Sequence, residues 1–259
     1  MIARSNGPSF VSTLTEMPRV MMEAGLLTLS WPSLLALSKR GAGQPVVVIP
    51  GFLGGDDSTL PLRRFLTLLG YPAQPWLLGR NKGNPEAVEK LGRRFYRLFQ
   101  VYGKPITLIG QSLGGIYARE LARQFPNAVR SVITLASPFG AQGPDDTSPI
   151  VTRLFESMSG MTIDEMRAQM PDQDPTKAPP VPSTAIFSKS DGVVAWRACV
   201  QEETDIAENI EVVGSHTGMA MHPQVLHIIA DRLAQDPDNW QKYRAPACGL
   251  GLARTGTAS

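Results

Sequence analysis

Five short runs of apolar, mostly β-branched residues constrain this chain more than anything else in it: Val46 to Ile49, Ile106 to Ile109, Val132 to Leu135, Thr184 to Phe187 and Ile210 to Val213. A weaker run lies at Gln74 to Leu78. Most are continuous rather than alternating, the pattern of strands buried on both faces, as in a parallel sheet. Helical patterns separate them. Pro85 to Tyr102 carries Val88, Leu91, Phe95, Leu98 and Phe99 at helical spacing, Leu113 to Phe125 follows the second run, and His222 to Ala234 follows the last. Strand–helix alternation means crossover units, so the expected class is α/β, a mainly parallel sheet flanked by helices. The length of 259 residues allows one large domain with a well-buried core.

In open sheets of this class, ligands bind beyond the carboxyl ends of the strands. Five turns follow the runs: Pro-Gly-Phe-Leu-Gly-Gly (50–55), Gly-Gln-Ser-Leu-Gly (110–114), Ala-Ser-Pro-Phe-Gly (136–140), Ser-Lys-Ser-Asp-Gly (188–192) and Gly-Ser-His-Thr-Gly-Met (214–219). A serine, an acid and a histidine therefore emerge along one edge of one sheet. Gly-x-Ser-x-Gly between a strand and a helix matches the nucleophile elbow, in which glycines permit a turn sharp enough to hold the serine out at its apex. The competing role for Ser112 is a helix N-cap, which does not call for the flanking glycines.

A serine hydroxyl needs a base to take its proton. His216 lies in a Gly-rich turn directly after the last strand and is the expected base. His222 and His227, in or beside the following helix, suit structural roles. Asp191 is the expected acceptor that orients the imidazole, with Asp205 its nearest rival, and Ser–Asp–His is the chain order of the elbow architecture. The oxyanion hole should combine the N–H of Leu113 with that of Phe52, chosen over Leu53 because Gly51 lets the chain fold back just before it. The bland alternative for residues 50–55 is a plain tight turn. Residues expected to line the substrate site are Leu53, Gln111, Phe139, Leu154, Phe155, Val193 and Met219.

At these residues the chain resembles the serine lipases and esterases of the α/β-hydrolase superfamily. It is most similar to a bacterial lipase-like branch whose oxyanion turn reads Pro-Gly-Phe and whose acid turn reads Asp-Gly-Val-Val near a Trp. Here those are Pro50-Gly51-Phe52 and Asp191-Gly192-Val193-Val194 with Trp196. The resemblance spans roughly residues 44 to 235 and implies the α/β-hydrolase fold and ester cleavage through an acyl-enzyme, with no metal or organic cofactor. An acyltransferase or thioesterase using the same triad, and a non-catalytic binding protein on this fold, are the alternatives. Many lipases carry a histidine before the oxyanion glycine, where this chain has Pro50.

Residues 138 to 182 contain no strand run but two amphipathic pieces. Ile150, Val151, Leu154, Phe155 and Met158 lie on one, and Ile163, Met166 and Met170 on the other. So long a connection is usually functional or disordered, and the segment reads as a cap inserted in a hydrolase domain of residues 44 to 244, with plain cover of the sheet edge as the alternative. Residues 245 to 259 read as a flexible tail.

Residues 1 to 43 form an N-terminal extension with no place in the pattern. Within it, Ala24 to Leu37 is apolar, short of the ~20 residues of a spanning helix, and interrupted by Pro32. It is expected to pack on the protein's own body, with a weak membrane-surface contact or a cleaved signal as rival readings. The 25 basic and 23 acidic residues are nearly balanced, and no basic run interleaves with aromatics, so nucleic acid is set aside as a partner. The expected ligand is a small-molecule ester or acyl compound. Cys199 and Cys248 are too few and too far apart for a zinc module. They read as free thiols of a reducing, cytoplasmic compartment, though pairing stays open.

Overall fold

In the computed structural model, the described residues are 7–84, 86–141, 146–168 and 174–245, with the backbone of 254–255. Seven strands form one sheet: β1 (Val46–Ile49), β2 (Ala73–Gln74), β3 (Ile106–Gln111), β4 (Val129–Leu135), β5 (Ser183–Phe187), β6 (Ala207–Glu211) and β7 (Arg254–Thr255). Their spatial order is β2-β1-β3-β4-β5-β6-β7, parallel throughout except for the two-residue β7 at the edge. The expected α/β class with a mainly parallel sheet is what the chain adopts.

Side-chain alternation along these strands feeds two cores. Val46, Val48, Ile109, Ile133, Ile186 and Ile210 face one layer of helices. That layer contains α2 (Glu16–Leu37), α3 (Leu60–Leu68) and α8 (Pro223–Leu233), which contribute Leu27, Leu34, Phe65, Val225 and Ile229. Val47, Ile49, Leu108, Val132 and Ala185 face the other layer, where α4 (Glu86–Tyr102) and α5 (Leu113–Gln124) supply Leu91, Phe95, Tyr117 and Leu121. Both faces are covered, which is why the strands read as continuous apolar runs.

Three expectations are corrected. The weak run at 74–78 yields only the edge pair Ala73–Gln74. The last parallel strand lies at Ala207–Glu211 rather than 210–213. Its polar residues hid it: Glu208 is buried because Arg232, Thr184 and the Tyr243 N–H all donate to its carboxylate. The third correction is at the N-terminus. After a short α1 (Phe10–Leu14), α2 runs unbroken for 22 residues through Pro32. The proline ring lies on the exposed side and the helix is held beyond it by Leu34, buried with Leu27 against the core that includes α8.

The described part of the 138–182 segment includes α6 (Pro149–Ser159) and α7 (Ile163–Ala168). Ser148 N–H donates to Val193 O at 2.7 Å and Ala195 N–H to Asp146 O at 2.8 Å, which ties the segment to the turn after β5. The side chains of Ile150, Ile163 and Met166, and all of Met170 and Cys248, lie outside the described residues.

Candidate active site

The chain turns from β3 into α5 at Ser112, whose backbone sits at φ 50°, ψ −122°. An L-residue rarely adopts that conformation, and holding it costs of order 1–3 kcal/mol. The glycines around it are required by contact. A Cβ on Gly110 would overlap the Gly114 carbonyl, one on Gly114 would lie 2.5 Å from Ile49 O, and one on Gly115 would overlap the Ser137 hydroxyl. Ser112 occupies the N-cap position of α5, yet its side chain makes no capping hydrogen bond. A serine serving as a cap would use its oxygen on the helix.

Beside this turn lies the one after β1, at the crevice where chain order reverses between β1 and β3. A Cβ on Gly51 would lie 3.1 Å from Ser112 Cβ, so the two turns touch. Leu53, at φ 61°, commits its N–H to Asn81 O at 2.7 Å. The N–H groups of Phe52 and Leu113 carry no hydrogen bond among the described residues, the latter because it opens α5. Buried Asn81, which sequence reasoning missed, clamps this turn. Its amide donates to Pro50 O at 2.9 Å and its N–H to Gly54 O at 2.8 Å.

His216 Nδ1 lies 2.7 Å from Asp191 Oδ2, and both side chains are buried. The other oxygen of Asp191 accepts the N–H groups of Val193 and Val194, each at 2.8 Å. Burial alone pulls the His216 pKa down, but the charge and hydrogen bond of Asp191, with the charge of Glu16, outweigh it and the net shift is upward. Gln111, next to Ser112, donates through Nε2 to the His216 and Thr217 carbonyls at 3.1 Å each, so the serine and histidine turns are joined directly. Among the described residues His222 makes no hydrogen bond to a carboxylate, and its Nδ1 has no partner. Burial holds its pKa below the usual value against the opposing pull of Glu23 and the Val213 carbonyl. His227 Nδ1 lies 3.4 Å from Ser38 Oγ, and Asp205 is exposed. Among the described residues no cluster of three or more His, Cys, Asp or Glu side chains is placed to hold a metal ion.

The N-terminal helix supplies what sequence reasoning left out. Glu16 accepts the Gly192 N–H at 3.2 Å on one oxygen and the Thr217 N–H at 2.9 Å on the other, bridging the aspartate and histidine turns. Arg19 donates to Ser190 O at 2.6 Å and Gly214 O at 3.1 Å, while Glu23 accepts from the N–H and hydroxyl of Ser215. Glu16, Arg19 and Glu23 are the only charges between residues 10 and 37, spaced to share one helix face. That spacing is the signal in the sequence, and all three lie before the apolar stretch Ala24 to Leu37.

The expected substrate-site residues divide. Phe155 is buried edge-on against Phe52, ring centroids 5.4 Å apart, so α6 does sit over the turn after β1. Leu154 is exposed, and Leu53 and Val193 are half-buried. Met219 and Phe139 are corrections. Met219 is fully inside the α2–α3–α8 core, and Phe139 is buried beneath the Arg119 guanidinium, 3.8 Å from its ring centroid. Gln111 is spent on the two carbonyls of the histidine turn.

Comparison with solved structures now decides the architecture. Aspergillus fumigatus lipase B aligns with TM-score 0.56 at 15% identity, over 79% of this chain and 57% of that one. The pyrethroid hydrolase PytH aligns with TM-score 0.54 at 16% identity, over 77% of this chain and 100% of that one. The chain has the α/β-hydrolase fold. Paleococcus ferrophilus monoacylglycerol lipase aligns with TM-score 0.51 at 12% identity, over 75% of this chain and 97% of that one. The chain spans little more than half the length of the fungal lipase. No family model and no curated protein sequence matches it. Within the α/β-hydrolase fold, Ser112, Asp191 and His216 each lie in the turn after β3, β5 and β6 respectively.

Proposed function

We propose that this protein is a serine hydrolase that cleaves carboxylic esters through an acyl-enzyme. One observation carries the reading: the turn bearing the buried Asp191–His216 hydrogen bond is tied by Gln111 to the strained turn of Ser112, whose side chain makes no capping bond with α5. Ser112 Oγ attacks the ester carbonyl while His216 Nε2 takes its proton. The N–H groups of Phe52 and Leu113 receive the negative oxygen. His216 returns the proton to the departing alcohol, leaving an ester on Ser112. Water, deprotonated by His216, then releases the acid and restores the serine. Asp191 fixes the imidazole with its Nδ1 proton toward the carboxylate and stabilises the imidazolium. The substrate is a small ester or acyl compound, in keeping with the lipases among the solved structures of similar fold.

The test is turnover of nitrophenyl esters of increasing acyl length, beside thioester and amide analogues, by the native chain and by Ser112→Ala. Ester turnover that Ser112→Ala abolishes supports the reading. Preferential thioester turnover moves the activity to thioesterase chemistry, and turnover retained by Ser112→Ala rejects the serine mechanism.

A further inference from the structure

The outer face of α1 and α2 differs from the rest of the surface. Half of the large hydrophobic side chains exposed among the described residues lie here, among them Phe10, Leu14, Met17, Met21, Leu26 and Leu29. Met21 is 75% exposed and Leu29 82%. No charge interrupts them, because Glu16, Arg19 and Glu23 all turn inward onto the turns carrying Asp191 and His216. A helix on a soluble surface normally has the reverse arrangement.

Its hydroxyls are spent as well. Thr15, Thr28 and Ser30 donate back to the carbonyls of Val11, Ala24 and Leu26 at 2.8, 2.9 and 2.7 Å, and Ser33 to that of Ser30 at 2.9 Å. A face whose polar groups are satisfied within the helix loses little on leaving water. Lys39 and Arg40 follow immediately at its end, both exposed, one held by Asp231 and the other by Leu68 O.

We propose that this face docks on a phospholipid bilayer, with α2 lying along the boundary between headgroups and acyl chains. At 1.5 Å per residue its 22 residues cover about 33 Å. Length and apolarity alone would let it cross a membrane. Crossing would take Glu16, Arg19 and Glu23 into hydrocarbon and strip them from the turns they hold, so the helix lies on the surface. Charge also separates lipid from a second copy of the chain. In antiparallel self-pairing, Lys39 and Arg40 of one helix would meet the uncharged face of the other, whereas lipid phosphates would meet them directly.

Binding is read without turnover, so the outcome is independent of the proposed catalysis. The full chain is co-sedimented with phosphatidylcholine vesicles and with vesicles that also contain phosphatidylglycerol. The native protein should sediment with both, somewhat better with the anionic lipid at low salt. The double variant Met21→Glu/Leu29→Glu should lower the partition coefficient roughly 100-fold, each exchange removing a buried apolar side chain. Its melting curve and its turnover of a soluble short ester should match the native chain's. If the double variant melts early, Leu29→Glu alone is measured the same way. A native chain that stays in the supernatant with both vesicle types overturns the proposal. So does a variant that sediments like the native chain, or a dimer in light scattering that the variant dissociates.

Discussion

At the scale of single residues, the proposed site includes charges that lie outside the three named side chains. His216 can accept a proton only while neutral. Its pKa is raised above the usual histidine value: burial lowers it, but Asp191 and Glu16 more than compensate. The acid limb of the rate profile should therefore lie above the ordinary histidine range, with activity lost as pH falls through it. Glu16→Gln removes one of the negative charges that favour the imidazolium, so that limb should move to lower pH. The amide oxygen can accept the N–H of Gly192 or of Thr217 but not hold both as the carboxylate does. Leaving one donor unpaired costs ~1–3 kcal/mol, and kcat should fall about tenfold as the two turns loosen. A lower melting temperature with an unmoved acid limb would reduce Glu16 to a structural brace.

At the scale of elements, α6 shows that two adjacent residues of one apolar stripe do different work. Leu154 is exposed, while Phe155 is buried against Phe52 and closes over Gly83, where any Cβ would overlap its ring. Phe155→Ala should therefore cost about 3–5 kcal/mol and lower turnover of short and long esters alike, by loosening the turn that carries Phe52. Leu154→Ala should leave the melting temperature within error and change the ratio of long-chain to short-chain turnover. The checks are a thermal melt and the nitrophenyl ester series on each variant. An unchanged chain-length ratio in Leu154→Ala would make the segment cover for the sheet edge and nothing more. Helical periodicity marked both residues as apolar but could not tell which pointed down, because that depends on where α6 lies relative to Phe52. β6 was obscured for a related reason: Glu208 and Asn209 look like turn residues until Arg232, 24 residues further on, and Gln201, 8 residues back, fold against them and satisfy them. Position after a strand was legible locally, and burial was not.

At the scale of the whole molecule, the parallel sheet and the edge bearing Ser112, Asp191 and His216 follow from the order of runs and turns along the chain. Each turn is encoded within a few residues of its strand, and the sheet brings them together without further instruction. What binds the assembly tightly is not local. Glu16 lies 176 residues from Gly192 and 201 from Thr217, and nothing at short range announces that they meet. The first 43 residues, which had no place in the strand–helix pattern, supply this bridge and the uncharged outer face together. The proposed chemistry requires one nucleophile with one base. Incubating the full chain with a fluorophosphonate and mapping the adduct by mass spectrometry tests both at once. A single adduct on Ser112, absent from Ser112→Ala and formed on the order of 10⁴-fold more slowly in His216→Ala, is the result expected of a triad acting as a unit. An adduct on another residue, or labelling that His216→Ala leaves at the native rate, would contradict it.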